Sequence, residues 1–284
     1  MRFLEPWDAS KGNPYIRVQP AEGFDRMNFT WKDHHVPITN ARPTKSTFAL
    51  DKHGFTYADD TISPSLITAL RSNEADTVKA TYYPHVEDFV RGLTGASRII
   101  IFDHTLRKRR ASLSKTSNED GAEQPATMVH CDQSPKGALR RLRQNIAPDE
   151  DVEQILKGRV QMINVWRPLT EPVRDWPLAT MQWTRESKES MFPCDLVRGE
   201  WEERGQTATF VHGEDQKWWY LDGQGCGEVT VIKIWDSLGE GEGEGEGVSQ
   251  FCAHAAFQHP NAPEGGVPRE SIEVRCLVIH EPDA

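Results

Sequence analysis

The sequence predicts a mainly β protein with flanking helices (α+β), folded as one domain in the form of a sandwich or barrel. Three observations lead to this prediction: short runs rich in β-branched residues, the Gly, Pro and Asp residues that separate them, and a small number of helical segments. With 284 residues, the chain is long enough for one domain with a sizeable core.

The predicted strands alternate apolar and polar residues or consist of β-branched runs. They are Arg98 to Phe102, Val160 to Val165, Ala208 to Val211, Val229 to Trp235 and Ile272 to Ile279. The predicted helices carry capping and turn signals, such as Ser63 before Pro64, and they are Pro64 to Ser72, Val86 to Leu93 and Asp149 to Leu156. Because two helices precede the first strong strand, we expect residues 1–97 to form an N-terminal extension packed on a core of residues 98–284.

Two stretches are predicted to be loops because they lack the apolar residues that pack. Lys108 to Gln124 is basic and then rich in Ser, Asn and Glu, and Gly239 to Gly247 is a strict Gly-Glu alternation. A low-complexity repeat of this kind is typical of a solvated loop, here inserted between two strands. Metal binding by its glutamates is the less favoured alternative.

Composition excludes several classes of function. The net charge is -10, and the only basic cluster is Arg107 to Arg110, so we expect no nucleic-acid partner. We find no targeting signal and no apolar run long enough to cross a bilayer, which predicts a soluble, cytoplasmic protein without a membrane partner. The five cysteines lack CxxC spacing, which argues against a disulfide framework and a thiolate zinc site.

A candidate metal site begins at His130 and Asp132, which lie two residues apart. Residues i and i+2 of an extended strand face the same side, so one imidazole and one carboxylate can converge on one ion. His254 is the preferred third ligand and His259 the runner-up. Two histidines and one carboxylate bind one face of an octahedral ion and leave the other positions open, as iron(II) oxygenases require. Alone, the HxD pattern is weak, because His130 could equally be an ordinary hydrogen-bonded histidine.

A second pair, Arg269 and Ser271, is also two residues apart and follows His254 by fifteen residues. A guanidinium beside a hydroxyl is suited to bind a carboxylate. The alternative is a surface salt bridge from Arg269 to Glu270 or Glu273. The order HxD, distant His, then RxS indicates a pocket that iron and a dicarboxylate cosubstrate share.

These motifs, with several longer segments, resemble a known family: the fungal and bacterial oxygenase-like proteins grouped with gibberellin desaturase and the cephamycin methoxylation protein. The resemblance covers most of the chain. The segments that carry it are Arg42 to Phe55, Tyr82 to Ala96, Phe102 to Arg109, His130 to Pro135, Ile163 to Ala179, Lys217 to Leu221, Asp236 with Ser237, His254 to Phe257 and Arg269 to Arg275.

The resemblance implies a double-stranded β-helix (jelly roll, cupin-like) and a dioxygenase of secondary metabolism that uses Fe(II), 2-oxoglutarate and O2. It implies that His130, Asp132 and His254 bind iron and that Arg269 and Ser271 bind 2-oxoglutarate. The reaction would be hydroxylation, desaturation or oxidative cyclisation, with release of succinate and CO2. Some members of the family act on amino acids, including aziridine-forming oxygenases, so the resemblance leads us to expect an amino acid or an amino-acid-derived metabolite as the substrate.

Further candidates for the site come from neighbouring segments. Asn164 could contact 2-oxoglutarate and Arg167 could bind a substrate carboxylate or brace the site, with buried structural hydrogen bonds as the alternative for each. Trp166 could form a pocket wall or part of the core. His104 and Arg107 are candidates for the substrate pocket, although Arg107 could equally be a solvated surface charge. We expect no separate catalytic acid or base.

Two other hypotheses use the same residues. The first is a jelly-roll hydrolase in which the same ligands hold zinc, although it would have no use for the Arg269 and Ser271 pair. The second is a non-catalytic cupin-like binding protein, for which we would expect a missing ligand. A homodimer is possible, but no residue pattern supports it specifically.

Overall fold

The computed structural model of the chain describes residues 1–110, 123–170, 172–240 and 247–281. The strands are β1 Arg2–Leu4, β2 Tyr15–Pro20, β3 Trp31–Asp33, β4 Ile38–Asn40, β5 Phe55–Asp59, β6 Arg98–Lys108, β7 His130–Cys131, β8 Arg159–Pro168, β9 Leu178–Met181, β10 Met191–Gly199, β11 Glu202–Phe210, β12 Trp218–Tyr220, β13 Glu228–Asp236, β14 His254–Ala256 and β15 Glu270–His280. The α-helices are α1 Leu50–His53, α2 Pro64–Arg71, α3 Ala75–Thr81, α4 Tyr83–Thr94, α5 Pro135–Asn145 and α6 Val152–Ile155.

Most of these strands form two sheets. One sheet has the order β5-β13-β8-β15-β6, and the other has the order β2-β10-β11-β7-β14-β9-β12-β4. From β6 to β9 and again from β12 to β15, successive strands alternate between the two sheets, with β10 and β11 inserted as a hairpin. This is the connectivity of a jelly roll, so the predicted fold class, mainly β with flanking helices, is confirmed.

Strands from the first 97 residues also join the sheets. β5 pairs with β13 in the five-stranded sheet, whereas β2 pairs with β10 and β4 pairs with β12 in the eight-stranded sheet. The N-terminal part of the chain is thus hydrogen-bonded into both layers of the barrel.

The side-chain pattern of β8 shows how the layers pack. Met162 and Trp166 lie in the core between the two sheets, whereas Ile163 and Val165 belong to a second core beneath helices α2 to α4. Since neighbouring residues on a strand face opposite sides, Asn164 faces the interior of the barrel with Met162 and Trp166.

The helix predictions were partly correct. α2 matches its predicted range to within one residue, α4 begins at Tyr83, three residues early, and α6 is confined to Val152–Ile155 after Asp151 caps it. Helix α5 was missed because its sequence, PKGALRRLRQN, has four basic residues among eleven and buries only Gly137, Ala138 and Leu142. Its start is marked by Ser134, whose hydroxyl accepts a hydrogen bond from the Gly137 amide.

The two predicted loops are only partly described. Residues 111–122 of the first and 241–246 of the Gly-Glu repeat lie outside the described ranges. None of the described helices is long and apolar enough to cross a membrane.

Gly54 allows a test of the packing beside the chain segment that leads to His254. Its φ is +85°, and a Cβ there would lie 2.6 Å from the Phe251 carbonyl oxygen. We expect Gly54→Ala to lower the free energy of unfolding by about 2–4 kcal/mol, because left-handed strain and overpacking add. Gly95 is the matched control, since its φ is +70° but no atom lies within 4 Å of the added Cβ. Gly95→Ala should lower the free energy of unfolding by only about 1–2 kcal/mol, as measured by urea denaturation. Equal losses of stability in the two variants would contradict the packing argument.

Candidate metal centre

His130, Asp132 and His254 form one cluster inside the barrel. Strands β7 and β14 are paired with His254 opposite His130, and Asp132 follows β7 directly. One potential ligand atom from each residue lies within 4.8 Å of the others, and this is the only metal-ligand cluster in the described ranges. Asp132 Oδ1 is 3.4 Å from His130 Nε2 and 3.9 Å from His254 Nε2.

Both imidazoles are oriented by backbone carbonyls. His130 Nδ1 lies 2.8 Å from the Met128 oxygen, and His254 Nδ1 lies 3.1 Å from the Cys252 oxygen. A proton on each Nδ1 leaves the Nε2 lone pair directed at the cluster. Burial, and secondarily the neighbouring His130, lowers the pKa of His254 to about 3, so this ring is neutral and able to bind a metal ion.

The carboxylate of Asp132 is ionised. Burial is the largest single effect and raises its pKa, but the positive charge of Arg275 and the two neighbouring imidazoles together hold the pKa well below its usual value. Arg275 Nε donates to Asp132 Oδ2 at 2.6 Å, and Asn164 Nδ2 donates to the same oxygen at 2.8 Å. A carboxylate with two imidazoles is the donor set that suits Fe(II), so the residues present fit this metal.

Arg269 is a buried cation with no carboxylate partner in the described part of the chain. It is 1% exposed, its Nε donates to Ser271 Oγ at 3.3 Å, and its Nη1 donates to the Trp176 carbonyl at 2.7 Å. Burial, and secondarily the charge of Arg107, lowers its pKa to about 9. A buried guanidinium without an anion is costly, and this arrangement fits an anionic ligand.

The alternative of a surface salt bridge from Arg269 is not supported. Glu270 pairs with Arg71 at 2.6 Å, and Glu273 pairs with Arg275 at 2.8 Å. Neither glutamate forms an ion pair with Arg269.

A narrow cavity joins the cluster to Arg269. His130, His254, Trp166, Arg269 and Glu273 are among its lining residues. The guanidinium of Arg269 lies 5.0 Å from the centre of the Trp166 ring, and the buried Trp166 Nε1 has no hydrogen-bond partner among the described residues. This N–H is a second donor available to a ligand.

A wider cavity of about 360 Å³ adjoins the narrow one. Arg107, Ala126 and His130 line both cavities. Much of the remaining wall is apolar or only weakly polar, and it includes Ile16, Trp31, Met128, Thr207 and Thr209. The wider cavity thus gives a mainly apolar small molecule access to the cluster.

Another cavity, of about 1230 Å³, is larger than these two and is lined by none of the three cluster residues. His259 lies there, with Nε2 3.2 Å from the Tyr220 hydroxyl. The runner-up third ligand is therefore outside the cluster, and cavity size alone does not identify the candidate site.

Comparison with known proteins gives a consistent family assignment. A family model described as "Oxidoreductase/YMDC permease-like domain" matches residues 1–279. The Fe(II)/2-oxoglutarate-dependent dioxygenase nvfI of Aspergillus novofumigatus is 37% identical over 279 residues, covering 98% of this chain and 95% of that protein. The chain belongs to this family of Fe(II)/2-oxoglutarate-dependent dioxygenases.

Two further similarities agree with this assignment. The hydroxylase/desaturase efuI of Hormonema carpetanum is 28% identical over 277 residues, covering 91% of this chain and 87% of that protein. The solved structure of the iron and alpha-ketoglutarate-dependent endoperoxidase NvfI matches with a TM-score of 0.85 and 34% identity, covering 99% of this chain and 97% of that one. The predicted enzyme class and its use of Fe(II) and 2-oxoglutarate in secondary metabolism are confirmed, and the zinc hydrolase receives no support.

Arg167 of this dioxygenase does not line either cavity of the candidate site. It is fully buried on the face of β8 opposite Asn164, where Nε donates to the Tyr82 hydroxyl at 2.7 Å and Nη2 pairs with Asp60. Nη1 donates to the Cys226 carbonyl at 2.7 Å. The structure therefore does not support the predicted contact with a substrate carboxylate, and it agrees with the alternative of buried structural hydrogen bonds.

His104 of the dioxygenase is also directed away from the cluster. Its Nδ1 lies 2.7 Å from the hydroxyl of Tyr83 on helix α4. Arg107, three residues later on β6, lies on the other face, where it pairs with Glu123 at 2.7 Å and lines both cavities. Of the two pocket candidates on β6, the structure places Arg107 at the site and His104 outside it.

Glu273 and Arg275 were not among the site residues predicted from the sequence. Both have the same strand parity as Arg269 and Ser271, and β15 pairs with β8 without interruption from Ser271 to His280. The i, i+2 rule could have found them. It could not have found Ile16 and Trp31, because only the tertiary fold brings these N-terminal residues to the wider cavity.

Proposed function

We propose that His130, Asp132 and His254 bind Fe(II), that Arg269 and Ser271 bind the distal carboxylate of 2-oxoglutarate, and that the enzyme oxidises a small, mainly apolar molecule. The observation that carries this proposal is that two of the cluster residues, His130 and His254, line the same cavity as the buried guanidinium of Arg269, which has no carboxylate partner among the described residues. In this family the metal and the dicarboxylate act together, so their receptors must share one cavity.

When bound, Fe(II), 2-oxoglutarate and O2 supply the chemistry that removes hydrogen from a substrate carbon, with release of succinate and CO2. The chain contributes geometry. Its two imidazoles and one carboxylate would hold the metal and leave positions for the cosubstrate and O2. Arg269 fixes the orientation of the cosubstrate through its distal end, and the apolar wall of the wider cavity excludes water. The proposal needs no separate catalytic acid or base.

Asn164 has a different role in this proposal from the predicted 2-oxoglutarate contact. Its Nδ2 donates to Asp132 Oδ2 at 2.8 Å and to Glu273 Oε1 at 3.2 Å, so both N–H groups are used by carboxylates. We assign Asn164 to support of the metal ligand. Trp166 takes its place as a candidate cosubstrate contact, through its unpartnered N–H.

The substrate is proposed from the wider cavity. A volume of about 360 Å³ lies in the usual range for small-molecule sites, and it exceeds the need of a small free amino acid. A larger apolar metabolite, including one derived from an amino acid, fits better. Arg107 and Glu123, which form an ion pair, are charged residues of this wall, and we assign Arg107 to contact with a polar group of the substrate.

Hydroxylation, desaturation and oxidative cyclisation all remain compatible with the proposed site. The relative efuI carries the name hydroxylase/desaturase, whereas nvfI carries the names dioxygenase and endoperoxidase. The cytoplasmic location, the homodimer, the absence of nucleic-acid and membrane partners, and the division at residues 97 and 98 stay predictions from the sequence.

The cosubstrate assignment is tested by calorimetric titration of the Mn(II)-loaded protein with 2-oxoglutarate. We expect Arg269→Ala to weaken binding by about 100-fold, because two charge-assisted hydrogen bonds are lost. No carboxylate is left unpaired by this change, so the variant should fold. Arg71→Ala is the matched control, since Arg71 pairs with the adjacent Glu270 on the surface, and its affinity should change by less than about twofold. Unchanged binding in Arg269→Ala would refute the assignment.

A further inference from the structure

The two carboxylate oxygens of Asp132 have different surroundings. Oδ1 faces the imidazoles, 3.4 Å from His130 Nε2 and 3.9 Å from His254 Nε2. Oδ2 faces away and accepts two hydrogen bonds, from Arg275 Nε at 2.6 Å and from Asn164 Nδ2 at 2.8 Å. Of the two oxygens of Asp132, Oδ1 is therefore the one available to a metal ion.

The two donors are themselves held in place. Glu273 Oε1 accepts from Arg275 Nη2 at 2.8 Å and from Asn164 Nδ2 at 3.2 Å, and Thr105 Oγ1 accepts from Arg275 Nη1 at 2.7 Å. Because an ionised carboxylate only accepts hydrogen bonds, the amide nitrogen of Asn164 must face Asp132. The register of the sheet sets Arg275 of β15 directly opposite Asn164 of β8.

Arg275 is therefore not a receptor for the cosubstrate. Its three nitrogen atoms are engaged by Asp132, Thr105 and Glu273. Arg269, six residues earlier on the same chain segment, has no carboxylate partner among the described residues. The two arginines thus have separate roles: one is available to an incoming anion and the other is committed to Asp132.

We propose that Arg275 and Asn164 are positioning residues that restrict Asp132 to one metal bond, through Oδ1, and that they set the affinity of the metal centre. This inference rests on the proposed function, in which Asp132 is a ligand. A carboxylate that bound through both oxygens would take a fourth coordination position, and an octahedral ion would then keep only two positions for 2-oxoglutarate and O2. Two donors on Oδ2 prevent this, since they occupy its lone pairs and orient the group.

The test is the affinity for Mn(II), followed through the electron paramagnetic resonance signal of the free ion, without turnover. Asn164→Ala and Arg275→Lys each remove a donor to Oδ2, and the second keeps the positive charge. We expect each to weaken Mn(II) binding by about 10- to 100-fold. Thr105→Val is the matched control, because it removes one contact of Arg275 but keeps both contacts to Asp132, and it should change the affinity by less than about twofold.

His130→Ala separates failure of the inference from failure of the proposed function. If His130→Ala loses Mn(II) binding while Asn164→Ala and Arg275→Lys bind as wild type does, the inference is overturned and the ligand assignment stands. If His130→Ala retains wild-type affinity, the ligand assignment fails and the inference fails with it. Near-ultraviolet circular dichroism establishes that each variant is folded, and the uncharged Asn164→Ala keeps the test decisive if Arg275→Lys does not fold.

Discussion

His254→Ala is expected to lower the Fe(II)-dependent conversion of 2-oxoglutarate to succinate by a factor on the order of 10³ or more, since the metal centre supplies the reaction with its oxidising chemistry. The buried ring is neutral, with Nε2 directed at the cluster, so its loss leaves two ligands in a closed site. Succinate is measured by nuclear magnetic resonance, with and without added Fe(II), so the test does not require the substrate to be known.

His259→Ala is the matched control for this prediction. It lies five residues later and contacts Tyr220 in the cavity of about 1230 Å³, away from the cluster. Its succinate formation should stay within about twofold of the wild-type value. Equal loss of activity in the two variants would show that the cluster does not account for metal-dependent turnover.

Arg167→Met is expected to lower the free energy of unfolding by about 3–5 kcal/mol, as for other broken buried ion pairs. Arg167 is fully buried and pairs with Asp60. In the variant, Asp60 keeps only its contact with His85 among these two ion pairs. The Tyr82 hydroxyl and the Cys226 carbonyl also lose their donor. Chemical denaturation in urea, analysed by linear extrapolation, measures the change.

Arg91→Ala provides the comparison for Arg167. Arg91 pairs with Glu87 at 2.6 Å on the exposed surface of helix α4, and this i, i+4 pair should contribute only about 0.3–0.5 kcal/mol. Arg167→Met protein that is folded should bind Mn(II) with wild-type affinity, because the contacts of Arg167 lie on the outer face of β8, away from the cluster. Weakened Mn(II) binding with unchanged stability would contradict the structural role.

The sequence predicted which site residues share a face of a strand, because side chains alternate between the two faces and the spacing of two residues is enough to tell. The pairs His130 with Asp132 and Arg269 with Ser271 were predicted to share a face from spacing alone; the first pair meets in the cluster, and in the second pair Arg269 Nε donates to Ser271 Oγ at 3.3 Å. The same rule contains information that was not used. Asn164 and Arg167 are three apart, as are His104 and Arg107, so the members of each pair must face opposite sides of a regular strand.

The remainder required the tertiary structure. Which member of each pair faces inward depends on how β6 and β8 pair with β15, and single-sequence patterns do not give that register. Helix α5 was missed because four of its eleven residues are basic and only Gly137, Ala138 and Leu142 are buried. The N-terminal strands are short, and their role in the wall near Ile16 and Trp31 arises from contacts that are distant in sequence.

The most direct test of the account is the visible absorption spectrum of the anaerobic protein with Fe(II) and 2-oxoglutarate. We predict a weak metal-to-ligand charge-transfer band in the wild type, no band in His130→Ala, and a band that needs a higher 2-oxoglutarate concentration in Arg269→Ala. This result would place the iron and the cosubstrate in one site. Absence of the band in the wild type at every concentration, or an unchanged band in His130→Ala, would contradict the account.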